Sequence, residues 1–136
     1  MKLYAPSISV LIVDDDDDDR WLMCQAFHQV CPQVNPMFAK DGKEAIDSLQ
    51  ILPLPVFILT DLNMPGLNGA ELVEQLRHHP FYRTIPVVIC STSSSEHYRQ
   101  KCYLAGANAF ITKPHRLTDL TDLVRSLLTV WIRKAE

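Results

Sequence analysis

Three short segments of the chain are almost continuously apolar instead of alternating between apolar and polar residues. They are Ile8–Val13, Val56–Thr60 and Val87–Ser91. A strand with this pattern is buried on both faces, as in a parallel sheet that helices cover on both sides. Segments with apolar residues at helical spacing lie between these runs. The pattern therefore predicts an α/β fold, a doubly wound parallel sheet of five strands with five helices.

The other elements follow from apolar spacing and from the turn and cap residues between the segments. Two further strands are predicted, at Met37–Ala39 and Ala109–Thr112. The predicted helices are Arg20–Val30, Lys43–Leu49, Gly69–His79, Glu96–Ala105 and a last helix whose apolar stripe runs from Leu117 to Trp131. Pro80 ends the third helix, and Gly106 stands in the usual position after the end of the fourth.

Length and apolar content exclude several classes of protein. The 136 residues fit one domain, residues 1–136, and 47% hydrophobic residues are typical of a globular chain. The longest apolar runs, such as Val10–Val13, are far shorter than the roughly 20 residues that cross a bilayer. No signal peptide is recognisable, and the four cysteines contain no C-x-x-C pair. We therefore expect no membrane contact, reduced cysteines and a cytoplasmic location.

The negative charge of the chain is local. The net charge is −3, with 13 Lys and Arg against 16 Asp and Glu, and six of those acids form the run Asp14–Asp19. Without that run, 13 basic residues face 10 acids, which gives +3. The basic residues form no stripe, so direct binding of nucleic acid is not expected.

Polar residues follow the predicted strands where the carboxyl ends of a parallel sheet would meet. Asp14 and Asp15 follow the first strand, Asp61 the third, Ser91 ends the fourth and Lys113 follows the fifth. Two carboxylates about 5 Å apart repel by roughly 3 kcal/mol at an effective dielectric constant of about 20. Lys113 offsets part of this repulsion. The rest favours a divalent cation that prefers oxygen ligands, such as Mg²⁺.

The acidic run leaves more than one assignment open. Acids before a helix cap its N-terminus and interact with its dipole, and we assign that role to about Asp17–Asp19. The pair that works at the strand end is then Asp14–Asp15 or, alternatively, Asp15–Asp16. The run lacks the glycine and glutamate that an EF-hand loop needs, and the chain has no nucleotide-binding glycine motif and no G-x-S-x-G.

Four motifs in this order resemble the receiver domain of two-component response regulators. They are Val13-Asp14-Asp15, Asp61-Leu62-Asn63-Met64-Pro65-Gly66, Ser91-Thr92 and Phe110-Ile111-Thr112-Lys113-Pro114. Each motif is weak alone, but together, each at a strand end, they are highly specific. The resemblance covers about residues 7–133 and implies a flavodoxin-like topology.

The resemblance implies a role for each acid. Asp61 matches the aspartate that accepts a phosphoryl group from a phosphohistidine. Asp15 and Asp61, with the backbone carbonyl of Asn63, match the direct ligands of Mg²⁺. Asp14 resembles the second acid, which reaches the metal through water.

The remaining motif residues match the groups that bind the phosphoryl group and transmit its presence. Ser91 and Lys113 match the residues that contact phosphoryl oxygens. Ser91 and Phe110 match the switch pair, in which the hydroxyl moves toward the phosphoryl group and the aromatic ring turns inward. In the family the Lys113–Pro114 peptide bond is cis.

The resemblance also implies partners. These are a sensor histidine kinase or phosphotransfer protein as donor and an output protein that the sequence does not identify. Because only Arg133–Glu136 follow the apolar stripe of the last helix, we expect a stand-alone domain with no activity beyond self-phosphorylation and slow autodephosphorylation. Leu123 and Val130 either broaden the buried face of that helix or belong to a homodimer surface on the fourth and fifth helices.

A Mg²⁺-dependent aspartyl-phosphate hydrolase is the alternative function. Such hydrolases resemble D-x-D-x-[TV] directly after the first strand, whereas the candidate nucleophile here follows the third. A hydrolase would release many phosphates per chain, and a receiver about one slowly. If carboxylate repulsion dominates the metal-free site, Asp14→Asn or Asp61→Asn would raise stability in EDTA by about 1–2 kcal/mol.

Overall fold

A parallel sheet of five strands, with helices on both faces, forms the centre of the protein. The computed structural model describes residues 8–51, 53–93 and 95–135, and the side chains of the last helix up to residue 132. The strands are β1 (Ile8–Val13), β2 (Val34–Ala39), β3 (Ile58–Asp61), β4 (Val87–Ser91) and β5 (Ala109–Thr112). The helices are α1 (Asp17–Val30), α2 (Gly42–Ser48), α3 (Gly69–Arg77), α4 (Glu96–Ala105) and α5 (Leu117–Ala135).

The strand order is β2-β1-β3-β4-β5, and every neighbouring pair is parallel. The predicted doubly wound fold is therefore confirmed. The chain moves to one side of β1 to form β2 and then to the other side to form β3. In such folds ligands bind at the carboxyl ends of the strands where the direction reverses, which here are the ends of β1 and β3.

Residues of β1 alternate between two buried layers. Leu11 and Val13 pack into a core with α2, α3 and α4, whereas Val10 and Ile12 pack into a second core with α1 and α5. All four side chains are at most 2% exposed. Burial on both sides of the sheet explains why this strand is apolar at successive positions.

Two strands differ in extent from their prediction. The second begins at Val34, three residues earlier than expected, and Pro36 lies within the strand. Proline lacks an N–H but is tolerated in an edge strand, and β2 is an edge of this sheet. The third runs from Ile58 to Asp61, although Val56 still donates a backbone hydrogen bond to Ser9 of β1.

The helices begin and end close to the predicted positions. Helix α1 begins at Asp17, three residues before the predicted start, and α5 continues to Ala135. Gly106 ends α4 with a φ of 112°, the left-handed conformation that favours glycine at this position. Leu123 packs against the second core, whereas Val130 is exposed. Over the part of the chain that is described, each helix is too short or too polar to cross a bilayer.

Candidate functional site

Three carboxylates meet at the carboxyl ends of β1 and β3. Asp14, Asp15 and Asp61 each contribute one oxygen to a group in which all the oxygens lie within 4.8 Å of one another. Asp14 is buried, Asp61 is half-buried and Asp15 is exposed. The strand order creates this cluster, because it makes β1 and β3 neighbours although their acids are far apart in sequence.

Both carboxylate oxygens of Asp14 already accept hydrogen bonds. Its Oδ1 accepts from the backbone N–H of Asp16 at 3.0 Å, and its Oδ2 accepts from Lys113 Nζ at 2.7 Å. The Arg20 guanidinium also donates to the backbone carbonyl of Asp14. Among the described residues, none donates a hydrogen bond to the Asp15 carboxylate, which leaves its oxygens available to another ligand.

Lys113 connects the end of β5 to the acids of β1 and α1. Its Nζ lies 2.7 Å from Asp14 Oδ2, 2.7 Å from Asp19 Oδ2 and 3.9 Å from Asp61 Oδ2. Burial by itself would lower the pKa of the ammonium, but the hydrogen bonds to Asp14 and Asp19 outweigh burial and hold the pKa above its usual value. Lys113 therefore carries a permanent positive charge beside Asp61.

Asp61 is the carboxylate with the least favourable surroundings. Burial raises its pKa to about 6, the opposing attraction of Lys113 is partial, and the charge of Asp14 raises the pKa further. The nearest ammonium is beyond hydrogen-bonding distance, at 3.9 Å. The predicted repulsion is thus concentrated on Asp61, whereas Asp14 is paired with Lys113. The expectation that loss of the Asp14 carboxylate stabilises the metal-free protein is not supported by these contacts.

The run of acids divides into different roles. Asp16, not Asp17–Asp19 as predicted, caps α1, because its side chain accepts a hydrogen bond from the backbone N–H of Asp19 at 3.0 Å. Asp17, Asp18 and Asp19 occupy the first helical turn, where their charges favour the helix dipole. Asp19 also contacts Lys113, which was not predicted because six identical residues give no signal for which one faces β5.

Ser91 and Phe110 lie on adjacent strands beside this cluster. Ser91 is fully buried, and its Oγ accepts a hydrogen bond from the backbone N–H of Ser93 at 3.1 Å. The Lys113 backbone N–H donates to the Ser91 carbonyl at 2.7 Å, which holds the ends of β4 and β5 together. Phe110 is 4% exposed, so its ring is buried in this structure.

Two side chains of α4 hold Phe110 from outside the sheet. Tyr103 accepts a hydrogen bond from the Phe110 backbone N–H at 3.2 Å, and Arg99 Nη1 lies 3.5 Å from the Phe110 carbonyl oxygen. The Arg99 guanidinium also lies 5.8 Å from the centre of the Phe110 ring. Phe110 is thereby connected to α4 through both its backbone and its ring.

Gly69, at the start of α3, sets how closely that helix approaches Asp61. A β-carbon at this position would lie 2.5 Å from the Asp61 carbonyl oxygen and 3.0 Å from Leu62 Cα. Its N–H donates to the Leu62 carbonyl at 2.9 Å. The turn between them carries Asn63, which is exposed. The role of Gly69 was not predicted, because a glycine beside a helix cap gives no sequence signal for a close backbone approach.

The model of the response regulator receiver domain matches residues 10–125. The chain belongs to the response regulator receiver family. Receiver domains are signalling domains of two-component systems, which interact with histidine kinases or other phosphodonors and with output partners. Because they are not conventional enzymes, the hydrolase alternative is not supported.

Relatives of this receiver domain align with nearly all of it. Response regulator Rcp1 of Synechocystis is 29% identical over 133 residues, 93% of this chain and 90% of Rcp1. The crystal structure of the phosphorylated cyanobacterial phytochrome response regulator RcpA superposes with a TM-score of 0.86 at 28% identity, covering 96% of this chain and 98% of RcpA. The Mn²⁺-bound form of Rcp1 superposes with a TM-score of 0.79 at 29% identity, covering 93% and 94%. Receiver domains thus bind divalent metal ions.

Proposed function

We propose that this receiver accepts a phosphoryl group on Asp61. The observation that supports the proposal is the position of the Asp61 carboxylate, half-buried at the end of β3 and 3.9 Å from the Lys113 ammonium. Because the pKa of Asp61 is about 6, most molecules carry an ionised Asp61 carboxylate at neutral pH. A carboxylate oxygen of Asp61 can then act as the nucleophile. The phosphorylated relative RcpA is consistent with this chemistry.

The transfer joins an Asp61 oxygen to the phosphorus of a phosphohistidine on a sensor kinase or phosphotransfer protein. The P–O bond forms as the P–N bond breaks, and the imidazole nitrogen leaves with the electron pair of that bond. Because the other ring nitrogen carries a proton, histidine leaves as the neutral ring. This reaction needs positioning and neutralisation of charge more than covalent assistance. Lys113 and Ser91 would bind the phosphoryl oxygens.

The carboxylates fit a divalent cation. A hard ion such as Mg²⁺ prefers oxygen ligands, and the cluster offers one oxygen each from Asp14, Asp15 and Asp61 within 4.8 Å of one another. We assign Asp15, Asp61 and the Asn63 carbonyl as direct ligands. Asp14 would act through water, since its own oxygens already accept hydrogen bonds from Asp16 and Lys113. A bound Mg²⁺ would supply positive charge for the phosphoryl oxygens.

Phosphorylation would change the protein surface through Ser91 and Phe110. The added negative charge attracts the Ser91 hydroxyl, and Phe110 transmits the change to α4 through its contacts with Arg99 and Tyr103. The output protein, a homodimer through the fourth and fifth helices, the cis Lys113–Pro114 bond and a cytoplasmic location remain predictions of the sequence.

To test the proposal, the protein is incubated with acetyl phosphate and Mg²⁺, and its mass is measured by intact mass spectrometry. The unmodified chain should gain one phosphoryl group, and Asp61→Asn should gain none. Asp47→Asn is the matched control, because Asp47 is an exposed acid on α2 and should be labelled normally. Equal labelling of Asp61→Asn and the unmodified protein would exclude Asp61 as the acceptor. Continuous release of phosphate with many turnovers would instead indicate a hydrolase.

A further inference from the structure

The Lys113 ammonium has two close carboxylate partners that differ in exposure. Both Asp14 and Asp19 lie 2.7 Å from Nζ, but the Asp14 side chain is 9% exposed and the Asp19 side chain is 38% exposed. Release of Asp14 would leave a buried carboxylate without its cation, which is costly. Release of Asp19 returns a carboxylate to water at much smaller cost. Asp19 is therefore the partner that Lys113 can exchange.

Asp19 is held in place by the start of α1. Its backbone N–H donates to the Asp16 side chain, which caps the helix, so the backbone of Asp19 is fixed independently of the contact with Lys113. The contact joins α1 to the residue that follows β5, across the carboxyl end of the sheet. An anion on Asp61 must attract the same ammonium, which is 3.9 Å away from the Asp61 carboxylate.

We propose that Asp19 is a positioning residue that holds Lys113 toward α1 and opposes capture of the phosphoryl group at Asp61. This inference rests on the proposed function of Asp61 and Lys113. In the unphosphorylated protein, Asp19 occupies one of the three N–H donors of the ammonium. A phosphoryl group has to attract Lys113 in competition with that carboxylate, so Asp19 favours the unphosphorylated state.

The size of the effect follows from the exposure of the pair. The Asp19 side chain is 38% exposed, and a contact made by a solvent-accessible carboxylate contributes up to about 1 kcal/mol, which corresponds to a change of about two- to fivefold in an equilibrium constant. Removal of the Asp19 charge should therefore strengthen binding of a phosphoryl analogue by about that factor. Structural damage would weaken binding, so a gain in affinity separates positioning from a loss of structure.

The experiment is a titration with beryllofluoride, a tetrahedral analogue of the phosphoryl group, in the presence of Mg²⁺, followed by amide NMR shifts. It compares the unmodified chain, Asp19→Asn and Asp18→Asn. Asp18 is an exposed acid in the same helical turn, so its substitution makes the same change in net charge and in the charge at the helix start. Urea unfolding of each variant checks that all three proteins are folded.

We expect Asp19→Asn to bind beryllofluoride about two- to fivefold more tightly than the unmodified chain, with Asp18→Asn changed by less than about 1.5-fold because its charge is screened. Equal affinities for Asp19→Asn and Asp18→Asn, or weaker binding by Asp19→Asn, would overturn the role of Asp19 and leave the proposed function standing. No shift in the unmodified chain at any concentration would overturn the proposed function and this inference together.

Discussion

The two ends of the sheet each contain a partly buried cation, and the two cations bind different kinds of oxygen. Arg77, at the end of α3, lies beside the residues that precede β4 and β5. Its guanidinium donates to the carbonyl oxygens of Gly106 at 3.0 Å and Ile85 at 2.8 Å and to Asn108 Oδ1 at 2.8 Å. At the opposite end, Lys113 donates to carboxylates.

The difference indicates what each end can do. Backbone carbonyls are fixed by the chain and carry no net charge, so the Gly106 and Ile85 oxygens cannot turn away from Arg77 without unfolding that end. Arginine also presents its donors in a rigid planar arrangement, which suits several fixed acceptors. The carboxylates around Lys113 are side chains that can turn to water, to a metal ion or to another partner. We infer that one end is built for stability and the other for exchange of ligands.

Substitution of Arg77 should give the largest loss of stability. Arg77→Met keeps the aliphatic part of the side chain but leaves the Gly106 and Ile85 carbonyls without the guanidinium donor, whereas Asn108 Oδ1 keeps the Val87 N–H as donor. Because unsatisfied buried acceptors each cost about 1–3 kcal/mol, and partial access of water reduces that cost, we expect a loss of about 3 kcal/mol. The measurement is urea unfolding in EDTA.

The matched control for this substitution is Arg83→Met. The Arg83 side chain is exposed, so its replacement should change stability by less than about 0.5 kcal/mol. Folded Arg77→Met protein should still accept one phosphoryl group. If both variants unfold at the same urea concentration, the hydrogen bonds of the Arg77 guanidinium contribute nothing to stability, and this end of the sheet is not built for stability.

Lys113→Met should give a smaller loss that depends on metal. The substitution leaves the Asp14 carboxylate buried without a cation, and we expect about 2 kcal/mol lower stability in EDTA. Mg²⁺ should recover part of this loss by supplying positive charge, so it should stabilise Lys113→Met more than the unmodified chain. Arg77→Met should gain from Mg²⁺ only as much as the unmodified chain gains. An identical response to Mg²⁺ in both variants would show that the Lys113 end of the sheet is no better suited to ligand exchange than the Arg77 end.

Asp61→Asn should have the smallest effect, and the opposite sign. Burial raises the pKa of Asp61 from 3.8 to about 6, so the folded protein binds this proton more tightly than the unfolded chain does. The unmodified protein therefore loses stability as pH rises from about 4 to about 6, and the amide variant does not. At pH 7 in EDTA we expect Asp61→Asn to be about 1–2 kcal/mol more stable, with relaxation reducing the full value of the shift.

The same measurement on Asp14→Asn gives the contrast. Asp14 is paired with Lys113 and accepts a hydrogen bond from Asp16, so loss of its charge should lower stability. Urea midpoints of both variants between pH 4 and pH 7 provide the check. A pH-independent difference between the unmodified protein and Asp61→Asn would show that the Asp61 carboxyl does not titrate in this range.

Most of the fold was predictable because its signals are local. The apolar runs of β1, β3 and β4 and the stripes of the helices depend on residues close together in sequence. Prediction missed the start of β2, since Pro36 is a turn signal in isolation and is tolerated only because β2 lies at an edge. That fact depends on the arrangement of the whole sheet.

The acids of the site were predictable by position, but their partners were not. Asp61 was predicted as a site residue because it directly follows a strand with the pattern of a buried strand. Whether Asp19 or Asp18 contacts Lys113 depends on the rotation of α1 relative to β5. Because Asp19 and Lys113 are 94 residues apart in sequence, no local pattern indicates this contact. The contacts of Arg77 are with backbone carbonyls and one asparagine, and since every residue has a carbonyl, no residue type in the sequence indicates them.

The hold of α4 on Phe110 has a consequence for the behaviour of the chain in concentrated solution. Strand β5 pairs with β4 on one side only, so its other side is a free edge to which a strand of another molecule could add. The Tyr103 hydroxyl accepts the hydrogen bond of the Phe110 N–H, and the Arg99 guanidinium lies beside the Phe110 carbonyl. The middle of this edge is thus closed to intermolecular strand pairing, and α4 protects the protein against aggregation for as long as it stays docked.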